Sequence, residues 1–440
     1  MPDLTMSVEA IQKKVDDYCS ALSKVGYLTG SVLVTLEENI LISKGYGNAN
    51  FEHRVANTPQ TIFRIGSITK QFTAMAIMIL YERGLLNLYD PIKKFISDYP
   101  NGDQINIHHL LTHTSGVPNF TDFPDYLKTA RSAASIESII GRFKEKPLDF
   151  SPGENHKYSN SGYILLTYII ERVANCSYES FLEHEIFKPL SMLNTGYDSN
   201  SKILKHRAAG YSIWGEIINA EFVDTSLALG AGGLYSTTED LYRWVQSLNE
   251  SRLISKDSFK KMVTPNIGKY GYGIYIAEKN VKGKIRTKIG HGGMINGFCC
   301  EMMHYVDDYI TIIVLSNVQN PVGSIIASLE KIVYDESYDL PINKPEITIG
   351  THQRNSCIGK YKVNNHVIFE VSEEKDKLYL SFEPWFKYEL YPTLEQVGRL
   401  IFATRLSNGE VNFHINSKGE ITQLGFNLYG NMDAKKVYQE

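Results

Sequence analysis

The sequence predicts an α+β fold in two parts: a larger body built on a central antiparallel sheet with a helical region inserted, then a small all-β, barrel-like unit. Three observations predict it. Two strand-like runs near the N-terminus find comparable runs only far downstream, at residues 271–318. The intervening stretch from about residue 100 to 260 reads mostly as helices and loops. Beyond Pro345 the helical period is lost, and short alternating strands separated by turns such as Asn408-Gly409 and Lys418-Gly419 take over. At 440 residues the chain is also too long for one ordinary core.

Each element follows from its own pattern. Residues 7–25 form an amphipathic helix with Ile11, Val15, Tyr18 and Leu22 on one stripe. The segment "GSVLVTLEENILISKGYG" reads as a strand, a turn near Glu37-Glu38-Asn39 and a returning strand. In "RIGSITKQFTAM", residues 64–75, Ser67 is expected to cap a helix that continues through the apolar run Phe72–Leu80. A second apolar helix is expected at "YILLTYIIERVA", 163–174. Strands return at "GYGIYIAE", "KIRTKIG", "GFCCEMMHYV" and "YITIIVLSNV". The stretch "YDLPINKPEITIGTHQRN" carries Pro341 and Pro345 without a helical period and reads as a linker. The expected division is a body at 1–337, a linker at 338–356 and an antiparallel barrel-like domain at 357–440. Its strands are read at "HVIFEV", "KLYLSFE", "FKYELYP", "RLIFATRL", "VNFHI" and "ITQLGFNLYG".

Composition excludes several functions. A net charge of −4 implies no general attraction to nucleic acid or acidic membrane. The basic residues Lys282, Lys284, Arg286 and Lys288 alternate, as on the solvated face of a strand whose other face carries Val281, Ile285 and Ile289. No run approaches the ~20 apolar residues a membrane helix needs, and the N-terminus lacks the pattern of a secretion signal. Cys19, Cys176, Cys299, Cys300 and Cys357 are odd in number and irregularly spaced, which suits free thiols better than a disulfide framework or a zinc site. A cytoplasmic location is expected for the chain as it stands, and an extracytoplasmic one if an export signal has been removed.

One detail resists the structural reading. Lys70 lies in the first turn of an apolar helix, at the positive end of the helix dipole, where a cation is disfavoured. A residue three positions on shares a helix face, so its amine can lie beside the Ser67 hydroxyl. There the dipole and burial favour the neutral amine, which can draw a proton from a serine that is otherwise a weak nucleophile. A second group is Tyr158-Ser159-Asn160: a tyrosine near a lysine can relay a proton, and an asparagine amide can orient a substrate carbonyl. A third is His291-Gly292-Gly293, whose glycines allow close approach to the backbone. The Met294 N–H, with that of Ser67, could then hold an oxyanion. Taken singly these could be a solvated lysine, a helix-start aromatic with its cap and a glycine-rich hairpin.

In combination they resemble the penicillin-recognising serine hydrolases: class C β-lactamases, D-alanyl-D-alanine carboxypeptidases, D-aminopeptidases and related esterases. The order S-x-x-K, Y-x-N, H-x-G is that of the class C-like branch, and "LLTHTSGVPNF", "FKPLSMLNTGY" and "AGGLYSTTEDLYRW" also look like the family. The resemblance spans roughly residues 8 to 335 and implies a β-lactamase/transpeptidase-like body. It makes Ser67 the acylated nucleophile, Lys70 its activating amine and Tyr158 a second member of the proton relay. Asn160, His291, Gly292 and Gly293 would contact substrate, and the N–H groups of Ser67 and Met294 would form the oxyanion hole. Which of Lys70 and Tyr158 is the base stays open. No cofactor or metal is implied, and the partner expected is a small-molecule or short-peptide substrate, with β-lactams as acylating ligands.

Where many β-lactamases have Lys-Thr-Gly or Lys-Ser-Gly, this chain has His291-Gly292-Gly293. A largely neutral histidine binds a substrate carboxylate less well than a lysine. The expectation is therefore a peptidase or esterase of the D-Ala-D-Ala carboxypeptidase or D-aminopeptidase type, slowly acylated by penicillin. The alternatives are a β-lactamase and a non-turnover sensor of penicillin or cell-wall peptides. The C-terminal strands resemble the barrel-like, lipocalin-like extensions of D-aminopeptidase-type members and would bear on substrate access. A metal hydrolase is a rival, because His109 and His113 in "HHLLTH" are four apart on a presumed helix, but the glutamate of H-E-x-x-H is absent.

Overall fold

Helix α1 (Val8–Lys24) starts at Ser7, whose side chain accepts the Ala10 N–H, and buries the expected stripe of Ile11, Val15, Tyr18 and Leu22. The computed structural model describes residues 7–37, 39–364, 367–383, 385–428 and 431–437. Glu38 in the first expected turn, the first six residues read for a leader, His366, Tyr429 and Gly430 lie outside them. Strands β1 (Gly30–Leu36) and β2 (Asn39–Tyr46) form the first hairpin. Helices α2 (Thr69–Glu82) and α3 (Asn160–Ala174) belong to the helical part. Strands β3 (Tyr275–Val281), β4 (Lys284–Ile295), β5 (Phe298–Tyr305) and β6 (Ile310–Ser316) return to the sheet. The order is β3-β4-β5-β6-β1-β2, antiparallel throughout, with Gly30 opposite Ser316 where the chain's early and late parts meet.

The sheet separates two apolar cores, which is why β1 and β6 are buried along their whole length. On one face lie α1 and α4 (Gly323–Val333); on the other lie α2 and α3. Helix α2 is buried on all sides from Thr69 to Leu80, as an apolar run without a polar face requires. Cys299 and Cys300 fall into opposite cores, and all five cysteines are free. Lys282 and Lys284 are exposed, as a solvated face requires, but the rest of the basic stretch departs from that reading. Arg286 lies 2.6 Å from the buried carboxylate of Asp308, and Lys288 donates to buried Glu330 at 2.9 Å, while Ile285 is exposed. The period was right, but α4 brings a remote carboxylate over that face. Among the described residues no helix is long and apolar enough to cross a membrane.

The linker ends in a helix the sequence did not reveal, α5 (Thr351–Cys357). A closed eight-strand antiparallel barrel follows: β7 (Gly359–Lys362), β8 (Ile368–Glu374), β9 (Lys377–Phe382), β10 (Phe386–Gln396), β11 (Arg399–Thr404), β12 (Glu410–Ile415), β13 (Ile421–Phe426) and β14 (Met432–Val437). Side chains such as Tyr361, Phe369, Tyr388, Phe402 and Phe413 fill it. Six strands match the sequence pattern. The pair that closes the ring, β7 and β14, was missed because each sends only one fully buried side chain inward, Tyr361 or Ala434. The barrel is joined to the body beside β10. Trp214 pairs with Lys387, the Gly215 N–H donates to the Lys387 carbonyl at 2.6 Å, and Tyr211, Ile213 and Val318 enter the barrel's core.

Candidate active site

The nucleophile turn and strand β4 touch backbone to backbone. Gly66-Ser67-Ile68 forms a 3-10 turn that runs into α2. Ser67 does not cap the helix as expected; the cap position is Ile68, without a side-chain bond, and the Ser67 hydroxyl faces Lys70 instead. Gly66 has φ +50, and a Cβ there would stand 2.7 Å from the Met294 nitrogen. A Cβ on Gly293 would stand 1.9 Å from the Ile65 carbonyl oxygen and 3.1 Å from the Ser67 nitrogen. The third motif's second glycine therefore permits the strand to lie directly against the nucleophile turn. Pairing of β3 with β4 ends at Tyr275–Gly290, so among the described residues no strand lies beside His291–Ile295 on that edge.

Lys70 is fully buried, and its amine has three oxygen partners: Ser67 Oγ at 3.0 Å, Asn160 Oδ1 at 2.8 Å and the Ala231 carbonyl at 2.6 Å. Burial pushes its pKa well below the usual lysine value. No carboxylate is among these partners. A neutral amine satisfies the site by donating to Asn160 and Ala231 and turning its lone pair to the Ser67 hydroxyl. The Ala231 carbonyl escaped sequence reading because a backbone acceptor leaves no mark in residue type.

Asn160 opens α3. Its Nδ2 donates to Thr121 Oγ1 at 3.1 Å, and its backbone N–H donates to Asn119 Oδ1 at 3.0 Å. The Tyr158 ring lies against the Lys70 amine, 4.7 Å from it. Its hydroxyl is buried and finds no hydrogen-bond partner among the described residues, and burial raises its pKa above the usual phenol value.

The proposed metal pair dissolves. The helix carrying His109 ends at Leu111, and His113 follows it at φ +58, so the two are not on one helix. His109 closes a reciprocal cap with Asn106. His113 instead holds the second motif: its carbonyl accepts the Lys157 N–H at 3.0 Å, and its Nδ1 accepts the Ser159 N–H at 3.1 Å. Its ring packs on Tyr158 with centroids 4.2 Å apart. Among the described residues no group of three or more His, Cys, Asp or Glu could hold a metal ion.

His291 is buried, with Nδ1 against the Gly292 carbonyl at 2.5 Å and Nε2 against the Tyr270 hydroxyl at 2.8 Å. The carbonyl can only accept, so Nδ1 carries the proton and Nε2 accepts from tyrosine. Burial pushes the imidazole pKa down to about 3, and the ring is neutral. A cavity of about 230 Å³ opens over Ser67, bounded also by Asn160, Gly232 and Met294. Lys70, Tyr158, His291, Gly292 and Gly293 do not bound it.

The Beta-lactamase family model matches residues 11–330. Penicillin-binding protein 4* of Bacillus subtilis (strain 168) is 28% identical, over 95% of this chain and 96% of its own. The solved octameric penicillin-binding protein homologue from Pyrococcus abyssi is 26% identical with TM-score 0.66, over 98% of this chain and 100% of its own. A penicillin-binding protein structure from Bacillus halodurans is 27% identical with TM-score 0.65, over 74% of this chain and 100% of its own. With the family model matched along most of its length, the chain belongs to the Beta-lactamase family and is a serine hydrolase of the penicillin-binding protein and β-lactamase kind.

Proposed function

We propose that Ser67 attacks an amide or ester carbonyl to form an acyl-enzyme, and that the chain acts as a D-Ala-D-Ala carboxypeptidase, a D-aminopeptidase-type peptidase or an esterase. The observation that carries this reading is the buried Lys70 amine, 3.0 Å from Ser67 Oγ and without a carboxylate partner. Lys70 Nζ takes the Ser67 proton as the Oγ–carbon bond forms. The Ser67 and Met294 N–H groups stabilise the oxyanion, and collapse expels the leaving group with that proton. Water then attacks the acyl carbon, the base takes its proton, and release of the acid restores Ser67. Lys70 is favoured over Tyr158 as the base, because its amine stands 3.0 Å from Ser67 Oγ and burial favours its neutral form, whereas burial holds the Tyr158 phenol protonated. Tyr158 is assigned to carry or lend the proton at the leaving group, and Asn160 to meet the substrate amide.

Neutral, buried His291 argues against efficient β-lactam hydrolysis. It offers no cation for a substrate carboxylate where many β-lactamases carry lysine. In this assignment His291, Gly292 and Gly293 shape the substrate strand from behind the cavity.

Intact-protein mass spectrometry after incubation with benzylpenicillin tests the reading. The expected result is one persistent penicilloyl adduct, absent from Ser67→Ala. Rapid drug consumption without an adduct would turn the assignment to a β-lactamase. Acylation with no turnover of D-alanyl peptides or esters would turn it to a sensor. No adduct, no drug consumption and no ester hydrolysis would overturn it.

A further inference from the structure

A second cavity of about 250 Å³ adjoins the one over Ser67 and shares Tyr126, Asn296, Gln319 and Trp385 with it. Trp385 comes from the barrel, so the nucleophile's cavity is not completed by the body alone. The partition is pinned in place. Asn296 Nδ2 donates to the Glu221 carbonyl at 3.0 Å, and Gln319 Oε1 accepts the Gly297 N–H at 3.1 Å. Trp385 closes a turn by donating its N–H to the Phe382 carbonyl at 2.7 Å, one residue before Phe386 is buried in the barrel. Around the second cavity, Leu127 (43%), Phe222 (54%) and Trp385 (37%) are large apolar side chains left exposed together. Exposed apolar groups gathered on one concave surface, continuous with a reacting serine, mark a place for apolar ligand surface.

The direction of the cleft says which part of the substrate enters. The leaving group must receive its proton beside Lys70 and Tyr158, and the Tyr158 ring lies next to His291, at centroids 6.1 Å apart. The acyl side therefore runs the other way along β4, toward Ile295 and Asn296, where the second cavity opens. Arg131 and Glu221 at its edge are paired with each other, which leaves the site no net charge to offer.

We infer that this cavity is an acyl-group subsite for an aromatic or bulky aliphatic substituent, closed on one side by Trp385 of the barrel. The inference rests on Ser67 being the nucleophile. Its test compares p-nitrophenyl acetate with p-nitrophenyl phenylacetate, which share a leaving group and differ only in the acyl part. Trp385→Ala and Phe222→Ala, at two residues that line the cavity, should each lower the phenylacetyl-to-acetyl ratio of kcat/KM about tenfold. An unchanged ratio in both variants, with Ser67 still acylated, would overturn the subsite alone. No acylation of Ser67 in the wild-type chain by either ester would overturn the nucleophile assignment and the subsite with it.

Discussion

Replacing Gly293 by alanine adds one methyl group and no chemistry, yet it should disable the enzyme. The new Cβ would lie 1.9 Å from the Ile65 carbonyl oxygen, where ordinary contact begins near 3.4 Å. Strand and turn have to part by about 1.5 Å, and a misplacement of about 1 Å already costs roughly 100-fold in rate. The movement separates the Ser67 and Met294 nitrogens, and loss of one oxyanion donor costs about 100- to 1000-fold in kcat. Overpacking of this kind also destabilises by about 1–3 kcal/mol, so Tm should fall by a few degrees. Gly292→Ala is the steric control: its Cβ meets nothing nearer than the Cys300 carbonyl oxygen at 3.8 Å, so Tm should hold and kcat should fall far less than in Gly293→Ala. Steady-state hydrolysis of p-nitrophenyl acetate and a thermal melt read both variants. A Gly293→Ala enzyme within about threefold of wild type would refute the argument that this contact sets the oxyanion site. Equal losses in the two variants would refute it as well.

Lys70→Met should lower kcat/KM by about 100- to 10,000-fold, and the wild-type rate should rise with pH and level off well below the ordinary lysine range, because the free amine is the active form. The same shift affects stability: in the window between the lowered folded pKa and the ordinary unfolded one, the unfolded chain binds the extra proton. Unfolding free energy therefore rises with pH there, and Lys70→Met should remove that slope in denaturant titrations. His113→Ala should lower kcat more than it raises KM, since the Ser159 N–H loses its acceptor and the Tyr158 ring its support. His113→Asn, which keeps an acceptor near Nδ1 and tolerates φ +58, should restore most of kcat; equal defects in the two would leave His113 a packing residue only.

How far the sequence could be read depended on whether the partner of each residue was local. The Ser67–Lys70 pairing is three residues long and helical, so spacing alone suggested it, although the turn that displaces Ser67 from the cap was hidden in the positive φ of Gly66. The α1 stripe and six barrel strands were legible because each pattern reports its own burial. Arg286 and Lys288 misled, because alternation fixes a face but not what covers it, and Asp308 and Glu330 come from other elements. The role of His113 as the support of Tyr158 was not legible, since that contact crosses to a segment 46 positions away.

The same distinction separates chemistry from substrate choice. A buried amine survives beside Ser67 because Asn160 and Ala231 supply hydrogen-bond acceptors without supplying a negative charge. A carboxylate in either place would hold the amine protonated and silence it as a base. That requirement is met within the body by short motifs. Trp385 reaches the cleft from a barrel held to the body where Gly215 and Trp214 dock the edge of β10 at Lys387 and Tyr211 enters the barrel core. A shift at that seam would leave Ser67, Lys70 and Asn160 where they are and still change which acyl group fits. Variation at the seam should therefore alter acyl preference before it alters the rate on the smallest ester, and the ratio measured with Trp385→Ala is the quantity through which it would first be seen.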